Sequence, residues 1–230
     1  MESIISKDRN GLQKYVLNCP EFDLSIQKDT QFDNMNRIES LILNNSILKS
    51  KNKNMEKGLI IVYYGNGKGK TTASLGAALR GIGYDFRICM IQFIKGEWKY
   101  GEIYSSNLLK PNFELIVAGK GFVGILDDDH NINEHILASK NALGLAREKI
   151  NSLNYDTVIL DEINYALKLK LIDEEEVLQI LKAKPYQVNV IMTGNYITEE
   201  ILEIADLVTE MREIKHPYKN KIKAKKGIDF

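Results

Sequence analysis

Reactive cysteine, charge imbalance and long apolar runs are all missing from this chain, and each absence removes a class of function. The two cysteines, Cys19 and Cys89, lie far apart and match no metal or redox spacing. Cys89 stands inside an apolar run, where a buried thiol rather than a reactive one is expected. Lys and Arg total 31, and so do Asp and Glu, so the formal net charge is zero. The chain as a whole therefore has no bulk attraction to nucleic acid or to an acidic membrane. No apolar run approaches the roughly 20 residues that span a bilayer. Met1-Glu2-Ser3 and the polar residues after it lack the basic and apolar regions of a secretory signal. The expectation is a reducing, cytoplasmic home, with neither nucleic acid nor membrane as partner. No Ser/His/Asp or Cys/His grouping offers a protein nucleophile either.

What the chain does have is organisation. Its 230 residues suffice for one α/β domain with a full core and a modest appendage. A division is expected near residue 57. Residues 1–57 are rich in Asn, Lys, Asp and Ser, and Ile38, Leu41, Ile42 and Leu48 repeat there at helical spacing. That predicts a partly helical N-terminal extension, able to cover the main domain. Residues 58–230 alternate strand-like and helical patterns. Strands are expected at Leu59–Tyr64, Arg87–Phe93, Phe113–Val117, Thr157–Leu160, Val188–Thr193 and Leu207–Ile214. Helices are expected at Lys70–Ile82, with Ala73, Leu75, Ala77, Ala78 and Leu79 inward, and at Asn131–Ser152, after Asp173, and at Glu199–Ala205. Asp173 and Glu176 have capping-box spacing. Such alternation predicts an α/β fold of the P-loop, RecA-like kind, a mostly parallel sheet with helices on both faces.

The octapeptide Gly65-Asn66-Gly67-Lys68-Gly69-Lys70-Thr71-Thr72 is the strongest chemical signal. Strand, glycine-rich turn, lysine, hydroxyl and helix is the order that wraps a nucleotide triphosphate. Glycines let successive N–H groups turn inward, and the following helix aims its positive end at the same point. Lys70 can reach phosphate oxygens, and the Thr71 hydroxyl can ligate Mg²⁺. In the usual G-x-x-x-x-G-K-[ST] pattern the first glycine would stand at Tyr64; here Gly65 comes one position late and the loop is tighter. About ninety residues on, the apolar run Val158-Ile159-Leu160 delivers Asp161 and Glu162 to a strand end. Beside a P-loop, Asp161 can hold the metal directly or through water, and Glu162 can be a metal or ribose contact or the base that activates water.

These residues resemble the corrinoid adenosyltransferases of the CobA/BtuR type. The tightened loop continued by Ala73 is similar to theirs, as are Ala78-Leu79-Arg80-Gly81-Ile82-Gly83 and Gln92-Phe93-Ile94-Lys95-Gly96 with Trp98, Gly101 and Glu102. Leu160-Asp161-Glu162, Thr193-Gly194, Glu210-Met211-Arg212 and the closing Gly227-Ile228-Asp229-Phe230 follow in order. The resemblance covers residues 58–230. It implies attack by the Co(I) of a reduced corrinoid (cobalamin, cobinamide or cobyrinic acid a,c-diamide) on the 5′ carbon of ATP, with release of triphosphate. It implies catalytic roles for Lys70, Thr71 and Glu162, and substrate contacts from residues 65–72, Arg80 and Phe122. Thr71, Asp161 and Glu162 would hold Mg²⁺ or Mn²⁺. It further implies an external electron donor such as a flavoprotein, and a homodimer. The basic tail, Lys215, Lys219, Lys221, Lys223, Lys225 and Lys226, would attract triphosphate or corrinoid side chains.

One departure stands out. The family pairs a phenylalanine with a tryptophan two residues later, associated with removing the lower axial ligand from cobalt; here Gly121-Phe122-Val123-Gly124 keeps only the phenylalanine. Two other readings remain open at this point: a RecA-like ATPase with Glu162 as its base, and a non-catalytic relative that binds ATP and corrinoid.

Overall fold

The computed structural model describes residues 4–7, 13–16, 56–96, 99–121, 123 and 131–230. Two units separate along the chain, Met1–Lys53 and Asn54–Phe230. In the first, β1 (Ile4–Lys7) and β2 (Gln13–Val16) pair antiparallel with Ile4 opposite Val16. Nothing in the residue pattern anticipates this hairpin, because four-residue strands of mixed polarity show no usable period. The helix expected around Ile38 to Leu48 lies outside the described residues.

The second unit is built on β3 (Ile60–Tyr64), β4 (Ile88–Gln92), β5 (Phe113–Val117), β6 (Thr157–Asp161), β7 (Asn189–Gly194) and β8 (Leu207–Glu210). They form one sheet in the order β5-β4-β6-β7-β3-β8, with every neighbouring pair parallel. The helices between them are α1 (Lys70–Ile82), α2 (Gly101–Leu108), α3 (Ile132–Asn151), α4 (Ile163–Lys168), α5 (Glu174–Lys182) and α6 (Glu199–Ile204). The α/β fold expected from the alternation is the one observed. β4 and β6 are buried at every position, as apolar strands covered on both faces must be.

Period-2 alternation divides the sheet into two cores. Ile88, Met90, Ile159 and Ile191 pack with Ala78 of α1 on one face. Cys89, Ile91, Val158, Leu160, Val190 and Met192 pack on the other against Ala142 and Ala146 of α3, Ile163 and Ala166 of α4 and Val177 of α5. Asp173 caps α5, its Oδ1 accepting from the N–H of Glu175 at 2.8 Å. No described helix is long and apolar enough to cross a membrane.

Three differences from expectation are local. Leu79 is 61 % exposed and not part of the core. It lies about 100° around α1 from buried Ala78, and Ser74 takes the inward place instead, its hydroxyl satisfied by the Thr71 carbonyl at 2.7 Å. β8 ends at Glu210, short of Ile214, because the chain leaves the sheet there to cross the glycine loop. The short helices α2 and α4 are too brief for a readable period.

Candidate active site

Parallel strands bring their carboxyl ends to one edge, and the register levels them. Tyr64 stands beside Gly194 and Glu210, and Gln92 beside Asp161. Ligands of such sheets bind beyond this edge. Between β3 and α1 the chain turns with Gly65 at φ +106° and Gly69 at φ +110°. A Cβ on Gly65 would also lie 2.5 Å from the Met211 carbonyl oxygen, so no other residue fits. Gly69 immediately precedes α1, whose unpaired N–H groups and positive dipole end therefore face the loop. Lys70 Nζ donates to the carbonyls of Gly65 and Gly67, each at 2.8 Å. Burial lowers the pKa of its ammonium, against the pull of Glu162 and Asp161.

Asp161 is the centre of the site. It is fully buried at the end of β6, and its carboxylate faces four protein groups. Oδ1 accepts from the Thr71 and Thr193 hydroxyls, both at 2.8 Å. Oδ2 accepts from Gln92 Nε2 at 3.3 Å and faces Lys95 Nζ at 3.7 Å. Lys95 is itself paired with Glu102 and lies 4.5 Å from the centre of the Tyr100 ring. Burial works against its charge, yet Asp161 and Glu102 hold its pKa above the ordinary lysine value. Gln92 bridges the acids, reaching Glu102 at 3.1 Å.

Glu162 is held differently. It sits in the left-handed region at φ +61°, and its N–H donates to Thr193 Oγ1 at 2.8 Å. Burial, reinforced by neighbouring Asp161, pushes its carboxyl up to about 7. Thr193 thus fixes both acids through one hydroxyl. Behind it Gly194 sits at φ +148°, where a Cβ would lie 2.7 Å from Asn164 Cβ and from the Tyr165 nitrogen. Gly194→Ala is expected to destabilise the fold by about 1–3 kcal/mol, measurable by urea unfolding.

The structure brings Lys70, Thr71, Asp161 and Glu162 to one place. Thr72 and Asn66 are exposed beside it, Gly67 donates its N–H to the Met211 carbonyl at 2.6 Å, and Lys68 pairs with Asp229. Arg80 is apart: it is exposed in the last turn of α1, roughly 15 Å along the axis from Lys70. Phe122, Gly124 and Trp98 lie outside the described residues. From sequence, Gln92, Lys95, Glu102 and Thr193 stood only as matching segments without a role. A polar residue closing an apolar strand, as Gln92 closes β4, is the signal that marks them.

For a hard divalent cation the donors are oxygen, the right chemistry for Mg²⁺. Among the described residues no group of three or more His, Cys, Asp or Glu side chains could hold a metal. Such an ion would need oxygens from a bound polyphosphate.

Residues 56–230 match the family described as ATP:corrinoid adenosyltransferase BtuR/CobO/CobP. The chain belongs to that family. The match takes in all six strands of the parallel sheet and every group around Asp161. A corrinoid adenosyltransferase of Escherichia coli (strain K12) is 40% identical over 176 residues, 76% of this chain and 87% of its own length. One from a Sinorhizobium species is 39% identical over 183 residues, 77% and 83%. The corrinoid adenosyltransferase CobA of Salmonella typhimurium is 38% identical over 176 residues, 76% and 87%. In this adenosyltransferase the short loop keeps Gly65 and Gly69 in left-handed turns and leaves Tyr64 as the last residue of β3.

Proposed function

We infer that this protein transfers the 5′-deoxyadenosyl group of ATP to the Co(I) of a corrinoid and releases triphosphate. The observation that carries this reading is the family match over residues 56–230, which spans the whole anion loop and the Asp161 centre. The Co(I) electron pair forms the Co–C bond at C5′ as the C5′–O bond breaks, and the departing triphosphate keeps that bond's electrons. No protein nucleophile is needed, because the substrate supplies it. Lys70, the loop N–H groups and the α1 dipole stabilise the charge that gathers on the leaving group.

Mg²⁺ fits this scheme as a cofactor that adds further positive charge at the triphosphate. Thr71 and Glu162 would hold it. Asp161, already occupied by four protein groups, would act through the Thr71 hydroxyl that it orients. The electron that makes Co(I) comes from outside the chain; the one described cysteine, Cys89, is buried with its thiol pushed up to about 12. A flavoprotein donor and a homodimeric assembly complete the reading.

Incubation with ATP, Mg²⁺ and chemically reduced cobalamin should give the Co–C absorption change together with intact triphosphate. Orthophosphate released without corrinoid would instead indicate an ATPase. Gly124, where the family has tryptophan, suggests a corrinoid without a lower nucleotide. Turnover on cobinamide is expected to exceed that on cobalamin, and equal rates would remove the idea.

Glu162 links stability to pH. Its carboxyl keeps its proton to about pH 7 in the folded chain, against 4.5 as its ordinary value. The folded state therefore binds the extra proton across that window, and stability falls as pH rises from 4.5 to about 7, by up to about 3 kcal/mol. Glu162→Gln should melt higher than wild type at pH 8 without ligands, while losing activity. A lower melting temperature would show that the ionised carboxylate is stabilised rather than strained.

A further inference from the structure

The glycine loop is gripped twice by the chain that follows β8. First, Met211 crosses it: the Met211 N–H donates to the Tyr64 carbonyl at 2.7 Å, and the Met211 carbonyl accepts from Gly67 N–H at 2.6 Å. A Cβ on Gly67 would lie 2.8 Å from the Arg212 carbonyl carbon, so the two segments are in van der Waals contact. Second, the chain returns and places Asp229 against Lys68 of the same loop. Asp229 is built for that position. Its side chain is 14% exposed, and its second oxygen accepts from the Lys225 N–H at 2.6 Å. The Asp229 N–H bonds the Lys225 carbonyl at 2.8 Å, and Gly227 N–H bonds the Phe230 carbonyl at 2.7 Å, closing a compact turn.

Lys68 has no comparable framework of its own and is half-exposed. Of the acids in the closing segment, Glu213 is paired with Lys219 within it, whereas Asp229 reaches across to the loop. A carboxylate therefore meets an ammonium on the loop whose glycines and helix end are shaped for anionic oxygens. Lys68 and the Lys225 amide hold the Asp229 carboxyl below the ordinary carboxylate range, so it is ionised at neutral pH.

We propose that Asp229 is an internal competitor for phosphate: it occupies Lys68 while the loop is empty and gives it up when a polyphosphate binds. Binding then exchanges one ion pair for another, and the closing segment reports whether the loop is filled. The proposal rests on the function above only in requiring that the loop take a polyphosphate. Its test uses no corrinoid, so its failure and the failure of adenosyl transfer are separately visible.

The test is a double-mutant cycle read by calorimetric titration of inorganic tripolyphosphate with Mg²⁺ into wild type, Asp229→Asn, Lys68→Met and the double variant. Exposed ion pairs of this kind set the scale, so Asp229→Asn should tighten binding about two- to fivefold. In the Lys68→Met background the same substitution should leave the affinity within about 1.3-fold of that background's own value. Low ionic strength keeps the weaker variants measurable. Unchanged or weaker binding by Asp229→Asn overturns the proposal. So does an equal tightening in both backgrounds, which would be a general effect of removing a negative charge.

Discussion

Lys70→Met should lower kcat/KM for adenosyl transfer by about 100- to 1000-fold, the cost of removing one charged donor from a developing anion. The size follows from where the ammonium sits. It is half-buried, folded back over the loop on the Gly65 and Gly67 carbonyls, and flanked by the carboxylates of Asp161 and Glu162. Those carbonyl contacts are easily exchanged for phosphate oxygens, because they are neutral acceptors and triphosphate is charged. The methionine keeps the stem and removes only the charge, so the circular dichroism spectrum should not change. Steady-state kinetics with pre-reduced cobalamin isolates the transfer step. A loss below tenfold would mean that the α1 dipole and the metal ion carry the leaving group without Lys70.

Asp161→Ala should cost about 3–5 kcal/mol of unfolding free energy, the range for stripping one partner from a buried charged group. No other side chain in the site has so many dependants. Its loss leaves the Thr71 and Thr193 hydroxyls without their acceptor, and the Gln92 amide and Lys95 with Glu102 alone. Gln92 Oε1 is already buried without a hydrogen-bond partner, so the cluster enters the substitution with one polar group unsatisfied. Asp161→Asn keeps the shape and an oxygen to accept from Thr71 and Thr193, and should cost less in stability. It should still impair turnover, because it removes the negative charge and sets an amide donor against Gln92 Nε2 and Lys95. Urea unfolding of both variants gives the comparison. A cost below 1 kcal/mol for the alanine variant would show that water replaces the carboxylate freely.

The main lines of this site were legible from residue order because backbone requirements leave a strong imprint. Gly65 and Gly69 are needed at left-handed positions, and the run Val158 to Leu160 is apolar because β6 is covered on both faces. Strand existence in the parallel sheet was readable for the same reason, and only the ends moved, as at β8. Side-chain wiring was not legible. Thr193 connects to Asp161 and Glu162 across 32 and 31 residues, and Lys95 reaches Asp161 only because β4 and β6 are neighbours. Such links depend on strand order, which no local pattern encodes. Leu79 went astray because a helix whose inward positions are mostly small residues fixes the buried face poorly, and a satisfied serine competes for it.

The crossing of Met211 over the glycine loop has a consequence for the order of assembly. During synthesis the loop emerges early, yet its backbone partners at Met211 are made about 145 residues later. β3 likewise waits for both flanking strands, β7 and β8. Contacts so distant in sequence form late and slowly. A nascent chain stopped before β8 should hold the β4–β6 layer while its nucleotide pocket stays unformed, so ATP can rescue only chains that are nearly finished.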